Sequence, residues 1–395
     1  MKDILQTGYN LIYLTTCALH GMTPEPVSVR SMDLHQVFRM AKFHSLTSIS
    51  YVALDTYLKT YPDKAGDIDS QLLSDWKNAK NQAIYKQMMM DAERGAILKY
   101  MEEKGIWYMP LKGIILKELY PKSGMREMVD NDILFDINYR KDIRKYMVQR
   151  GYKDEHCGGP VHDMYLKAPF FNFEMHVMLY ARYNSQLFYD YYQDVKSRLI
   201  KDDGNAYGYH FTDEDFYLYV LIHAFKHYES GGFGIRTLLD LYVYTQAKKQ
   251  TLNWEYLDKE MNHLGIAEFE RNCRTLAEKL FDVPKVDFEG IFTEEDLADM
   301  EFFLSAGSKG TTRIAFTQRI NRMVDEEDIT FGVKLKYLYK RLFPDVGFYE
   351  SAAPWAYKHK VLLPFFIAYR LSVKVVKRRE DIWKEVKFTL NKKGK

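Results

Sequence analysis

The chain has 395 residues, 47% hydrophobic and 28% charged, which excludes a disordered polymer and supplies enough apolar material for two or three packed units. Its formal net charge of +2 makes no overall electrostatic case for a nucleic-acid partner. No stretch approaches the apolar length needed to span a bilayer.

In chain order, residues 1–6 lack the apolar core of a signal peptide, and Cys17, Cys157 and Cys273 show no disulfide or zinc-ligand spacing, so a cytoplasmic setting is expected. The first hundred residues carry helical patterns, ending in a segment over 74–104 rich in Ala, Met, Lys, Gln and Glu, with Gly105 as its stop. Apolar runs at 106–111, 132–137 and 171–179 read as strands, separated by helix-like pieces at 114–120 and 140–150. Pro110 cannot donate to a ladder and belongs at a strand end or an edge. From Thr212, a candidate N-cap, the pattern returns to helices at 216–227, 237–248, 254–264, 267–281 and 294–305, with a linker over 282–293 holding Pro284 and Gly290. The expected fold class is α+β, divided into a helical region at 1–104, a small mixed-sheet unit at 105–211 and a helical domain at 212–395.

Chemistry concentrates in the run from Met125 to Phe135. Asp130 and Asp132, two residues apart in a strand, share a face, and such carboxylates repel unless a cation lies between them. A divalent metal, Mg²⁺ first, is the expected solution. Lys112-Gly113 closes a strand and opens a helix, so backbone and N-terminal amides there are expected to meet phosphate, with Lys112 adding charge. Glu174 and His176 alternate onto one strand face and are expected to complete the metal site. Metal held by such carboxylates would neutralise a triphosphate and activate an acceptor hydroxyl. Arg126 either pairs with an acidic neighbour, Glu127 or Asp130, or reaches triphosphate oxygens.

Further on, His223 and His227 stand at i and i+4, a spacing that suits a metal, an acceptor pocket, or a hydrogen-bonded junction between sheet and helices. Arg236 and Asp240, also four apart, are expected to form a helix-surface ion pair. After Lys358 the chain turns basic, densest at Lys377-Arg378-Arg379, behind an apolar run at 361–369 that contains Pro364. A docked helix with a solvated basic end is expected there, with weak contact to an anionic surface, RNA or membrane, as the alternative.

Taken together, Leu111-Lys112-Gly113, the run Arg126-x-Met128-x-Asp130-x-Asp132-x-Leu134, Glu174-x-His176 and the helical segment 223–240 make the chain resemble the uncharacterised nucleotidyltransferases of the DNA polymerase β-like superfamily. The resemblance covers roughly 106–244, and more weakly 341–344 and 362–371. It implies a minimal palm of a few strands between helical regions, and transfer of a nucleoside monophosphate from a nucleoside triphosphate to an acceptor, which could be a small molecule, a protein or an RNA. It also implies Mg²⁺, or Mn²⁺ in its place, on Asp130 and Asp132 with Glu174 as third carboxylate. Lys112, Gly113, Arg126 and His176 fall on the nucleotide side, and His223, His227, Arg236 and Asp240 on the acceptor side. Two departures stand out: Ile114 where a serine is frequent, and Asn131 where an apolar residue faces the core. The alternatives are a catalytically silent nucleotide-binding module of the same fold, and a metal-dependent phosphohydrolase using His223, His227 and Asp240. The second lacks the His-Asp dipeptide of that class.

Overall fold

The computed structural model describes residues 2–307 apart from 156, 183–184 and 286–289, together with 339, 349, 358–362, 364–369 and 372. The segment 341–344 and the basic cluster Lys377-Arg378-Arg379 lie outside the described residues. No helix among the described residues is long and apolar enough to cross a membrane.

Helices α1 (Lys2–Leu19), α2 (Pro26–Ser31), α3 (Leu34–His44), α4 (Thr47–Thr60) and α5 (Ser70–Lys104) form the N-terminal region. Local chemistry sets their ends: Asp33 and Asp69 accept from the first-turn amides of Gln36 and Gln71, and α5 stops where Gly105 takes φ +69°. The long α5 is the Ala/Met/Lys-rich segment expected from composition.

Next come β1 (Tyr108–Pro110), α6 (Gly113–Leu116), β2 (Asn131–Phe135), α7 (Arg140–Gln149), β3 (Lys153–Asp154), β4 (His162–Lys167) and β5 (Phe171–His176). They build one sheet in the order β1-β2-β5-β4-β3, antiparallel except for the parallel pair β2 and β5. Pro110 ends the edge strand β1, as its missing donor requires. The three anticipated strands are present in shortened form, while β3 and β4 were not anticipated. One sheet face, including Ile133, Phe135, Phe173 and Met175, packs against Met90, Ile97 and Met101 of α5 and Ile143 and Met147 of α7. Period-two alternation sends Asp132, Glu174 and His176 to the opposite face.

Helix α8 (Gln186–Tyr192) leads to a small ribbon of β6 (Ile200–Lys201) and β7 (Tyr209–His210), also not anticipated. A bridge between Tyr108 and Gly208 lays this ribbon along β1. Five helices follow: α9 (Asp213–Ser230), α10 (Ile235–Ala247), α11 (Trp254–His263), α12 (Ala267–Phe281) and α13 (Glu294–Ala306). Thr212 caps α9 as its sequence suggests, its hydroxyl accepting from Asp215 N at 3.0 Å. One continuous core joins first and last regions, with Leu11, Ile12 and Leu14 of α1 in the same cluster as Leu276, Leu280 and Leu304.

Candidate active site

In the parallel pair β2/β5, Asp132 lies directly across from Glu174. Asp130 does not belong to the strand: the ladder starts at Asn131, and Asp130 is the last residue of the preceding loop. It nevertheless opens onto the same cavity as Asp132 and Glu174, a space of about 370 Å³. Lys112, Gly113 and Arg126 also line it, and His223 and His227 of α9 with Arg236 and Asp240 of α10 close its helical side. His176 stands behind this wall, buried against Asp132.

Asp132 is 2% exposed, and its Oδ1 receives Lys112 Nζ at 2.8 Å and lies 2.9 Å from His176 Nε2. Burial alone would raise its pKa, but the Lys112 charge and the His176 hydrogen bond outweigh it and hold the carboxyl well below the usual range. The same balance, with the opposite sign of burial, holds Lys112 above the ordinary lysine range, through Asp132, Asp130 and Glu174. For His176, burial lowers the pKa but hydrogen bonds to Asp132 and Glu174 raise it further. Asp130 is pushed up to about 6, first by burial and then by the charge of Asp132. Lys112 thus meets a carboxylate rather than standing free for phosphate. Its backbone takes φ +47° and ψ −115°, a region that favours glycine and costs a side-chain-bearing residue about 1–3 kcal/mol.

The helix opened by Gly113 is a single turn of four residues. Its amides at Ile114, Ile115 and Leu116 donate to the carbonyls of Leu111 and Lys112, at 3.0 to 3.2 Å, so these amides are not available to phosphate as expected. Gly113 serves a different need. A Cβ there would sit 2.5 Å from Arg126 Nη1, so the guanidinium packs where only glycine leaves room.

Arg126 is 8% exposed and pairs with neither Glu127 nor Asp130. Its Nε and Nη2 donate to Asp240 Oδ1 and Oδ2 at 2.7 and 2.9 Å, and the Tyr120 hydroxyl adds a third bond to Oδ1 at 2.7 Å. The expected Arg236–Asp240 pair on a helix surface is therefore not formed, because Asp240 is buried and turned to Arg126. Arg236 Nη1 donates instead to the Glu127 carbonyl at 3.2 Å, and burial together with the neighbouring Arg126 charge lowers its pKa. Arg236 forms no ion pair among the described residues.

The N-terminal helices hold the loop that leads into β2. Glu127 accepts from Thr47 Oγ1 at 2.5 Å and Ser48 N at 2.9 Å, capping α4 with its carboxylate. Gln87 of α5 accepts from Gly124 N at 2.9 Å, where φ +82° and a close approach to Ile84 both require glycine. Asn131, fully buried toward α5, receives Arg94 Nη1 on its Oδ1 at 2.9 Å, while its Nδ2 has no hydrogen-bond partner among the described residues. Helices α4 and α5 thus hold the residues that flank Arg126 and Asp130.

His223 and His227 stack edge to face with ring centroids 4.5 Å apart. Burial pushes the His223 imidazole well down and that of His227 to about 4, so both are neutral near pH 7. Asp240, already bound by Arg126 and Tyr120, cannot serve with them as the phosphohydrolase reading requires. A residue not anticipated lies on the sheet: His162 of β4 pairs in register with His176, and its Nε2 is 3.9 Å from Glu174 Oε2. Its strand could have been found from the turn residues that bracket it, Gly158-Gly159-Pro160 before and Ala168-Pro169 after.

No curated protein and no solved structure matches the chain. A family described as uncharacterised nucleotidyltransferase matches residues 30–282, which take in α3 to α12, the whole sheet and all the cavity residues named above. With well over half of its length inside that match, the chain belongs to this family of nucleotidyltransferases.

Proposed function

We propose that the protein moves a nucleoside monophosphate from a nucleoside triphosphate to an acceptor held in the cavity, releasing pyrophosphate. The observation that carries this reading is the convergence of Asp130, Asp132 and Glu174 on one cavity whose helical side presents the cation Arg236. The three carboxylates are hard oxygen donors of the type Mg²⁺ takes, with Mn²⁺ acceptable in its place. They fit such an ion, since the cluster holds more negative charge than Lys112 alone can balance. When bound, a divalent ion there would supply charge for the triphosphate and acidify an acceptor hydroxyl.

The chain's own residues do the rest. The acceptor oxygen bonds to the α-phosphorus as the bond to the bridging oxygen breaks, and the electron pair leaves with pyrophosphate. Glu174, the least enclosed of the buried-strand carboxylates, takes the acceptor proton. Arg236, free of carboxylate partners among the described residues, donates to phosphate oxygens, while Lys112 balances the charge of Asp132. Neutral His223 and His227 line the acceptor side, where they can donate or accept hydrogen bonds. Arg126, with its fork spent on Asp240, braces the loop.

The test is incubation with α-phosphate-labelled nucleoside triphosphates, Mg²⁺ or Mn²⁺ and a cell extract. Label should appear on an acceptor and vanish in the Asp130→Asn, Asp132→Asn double variant; equal labelling by both proteins would end the proposal. One observation favours the silent-module reading, namely the Lys112 ammonium already seated on Asp132. Triphosphate binding with no label transferred would select it.

A further inference from the structure

The face of the sheet opposite α5 carries a second donor group beside the aspartates. His176 and His162 are register partners on β5 and β4, so their side chains leave the sheet on the same face, as does Glu174 two residues before His176. Glu174 Oε2 lies 3.6 Å from His176 Nε2 and 3.9 Å from His162 Nε2, the two rings are 4.9 Å apart, and one ligand atom from each residue falls within 4.8 Å of the others. Ligand atoms around a tetrahedral ion with bonds near 2.0–2.1 Å stand about 3.3 Å apart, so small side-chain adjustments close this triangle on a metal. It is the one such group of His, Cys, Asp and Glu found among the described residues.

His162 Nδ1 and His176 Nδ1 are both buried with no hydrogen-bond partner among the described residues. Each ring instead turns its Nε2 toward carboxylate oxygen, and an ion held there would take the place of the proton that His176 Nε2 shares with Asp132. The ammonium of Lys112 is paired with Asp132, so the histidine end of the group is left to Glu174 and the two rings.

We propose that His162, Glu174 and His176 form a divalent transition-metal site, which shares Glu174 with the oxygen cluster of Asp130 and Asp132 and takes Zn²⁺-like ions as its ligand class. Two imidazoles with one carboxylate select borderline ions such as Zn²⁺ and Co²⁺ and disfavour Mg²⁺, which demands oxygen ligands. The site stands without the transfer reaction, so its test requires no turnover.

The full-length protein, stripped with a chelator and free of nucleotide, is titrated with Co²⁺ and followed by visible absorption and calorimetry. One equivalent is expected to bind, to be displaced by Zn²⁺ and to resist a large excess of Mg²⁺. His162→Asn and His162→Gln should each weaken Co²⁺ binding by about 10-fold or more, at least what loss of a supporting partner costs a metal site. His223→Gln, on the helical side of the cavity, should keep wild-type affinity. X-ray absorption of the Zn²⁺-loaded wild type, which does not depend on any variant folding, should show two imidazole ligands. Unchanged Co²⁺ affinity in both folded His162 variants, ready displacement by Mg²⁺, or a spectrum fitted by oxygen donors alone would overturn the proposal.

Discussion

Arg126 and Asp240 meet as a two-pronged ion pair, at 2.7 and 2.9 Å, across 114 residues of chain. The contact ties the loop before β2 to α10, and with it one wall of the cavity to the other. Replacing one member of a buried pair strands the other charge, so Asp240→Ala should lower stability by about 3–5 kcal/mol in chemical denaturation. Gly113→Ala, whose methyl would meet the same guanidinium at 2.5 Å, should cost about 1–3 kcal/mol. The two losses should not add, because both act through Arg126; additivity within about 0.5 kcal/mol would show that they act separately.

Lys112 competes for Asp132 with any ion the aspartates bind. With its ammonium 2.8 Å from Oδ1, the Lys112→Met variant should bind Mn²⁺ more tightly in the absence of nucleotide, by about 10-fold for each 1.4 kcal/mol of competition removed. Calorimetry of the folded variant decides it. Unchanged or weaker Mn²⁺ binding would mean that the ammonium does not stand in the way.

Acid should weaken the fold through His44. This side chain is fully buried between α3 and α13, with Nε2 3.2 Å from the Leu304 carbonyl, and burial pushes its pKa down to about 4, against the usual 6.5. Because the folded value lies below the unfolded one, the stabilising contribution is present above about pH 6.5 and is lost as pH falls through about 4. The expected loss is on the order of 3 kcal/mol. Urea unfolding across that window should show the decline, and His44→Gln should flatten it; an identical slope in the variant would remove His44 as the cause.

Glu127 is expected to protect the start of α4. Its carboxylate bonds Thr47 Oγ1 and Ser48 N, so Glu127→Ala should speed amide hydrogen exchange at Ser48 and cost about 1 kcal/mol of stability. Unchanged exchange at Ser48 would show that water caps the helix equally well.

How far the sequence disclosed this molecule depended on whether the signal was local. The strands β2 and β5 announced themselves because apolar residues alternate or run together in them, and α9 because Thr212 offers a cap three residues before Asp215. β4 was hidden because Asp163, at a buried position, breaks its apolar alternation. That carboxylate is matched by residues outside the strand, the Arg140 guanidinium at 2.5 and 2.9 Å and the Gly158 amide at 2.7 Å. His162 was missed with it. The partner of Arg126 was equally unreadable, since the candidates beside it in sequence, Glu127 and Asp130, are turned to other tasks and the true one lies on a distant helix. The position of Lys112 against Asp132 follows from a backbone turn that no side-chain pattern encodes.

The short strands at the two margins of the sheet have a consequence for how a large acceptor could arrive. Along β1, Tyr108 N donates to the Tyr207 carbonyl at 3.0 Å and bridges to Gly208, while β3 offers only exposed Lys153 and Asp154. Among the described residues, neither margin presents a long apolar template for an incoming strand, the feature through which edges recruit peptides and aggregate. An extended polypeptide therefore has no ready means of joining the sheet. On the proposed reaction, the acceptor would meet the carboxylates inside the cavity walled by α9 and α10, and not along a margin of the sheet.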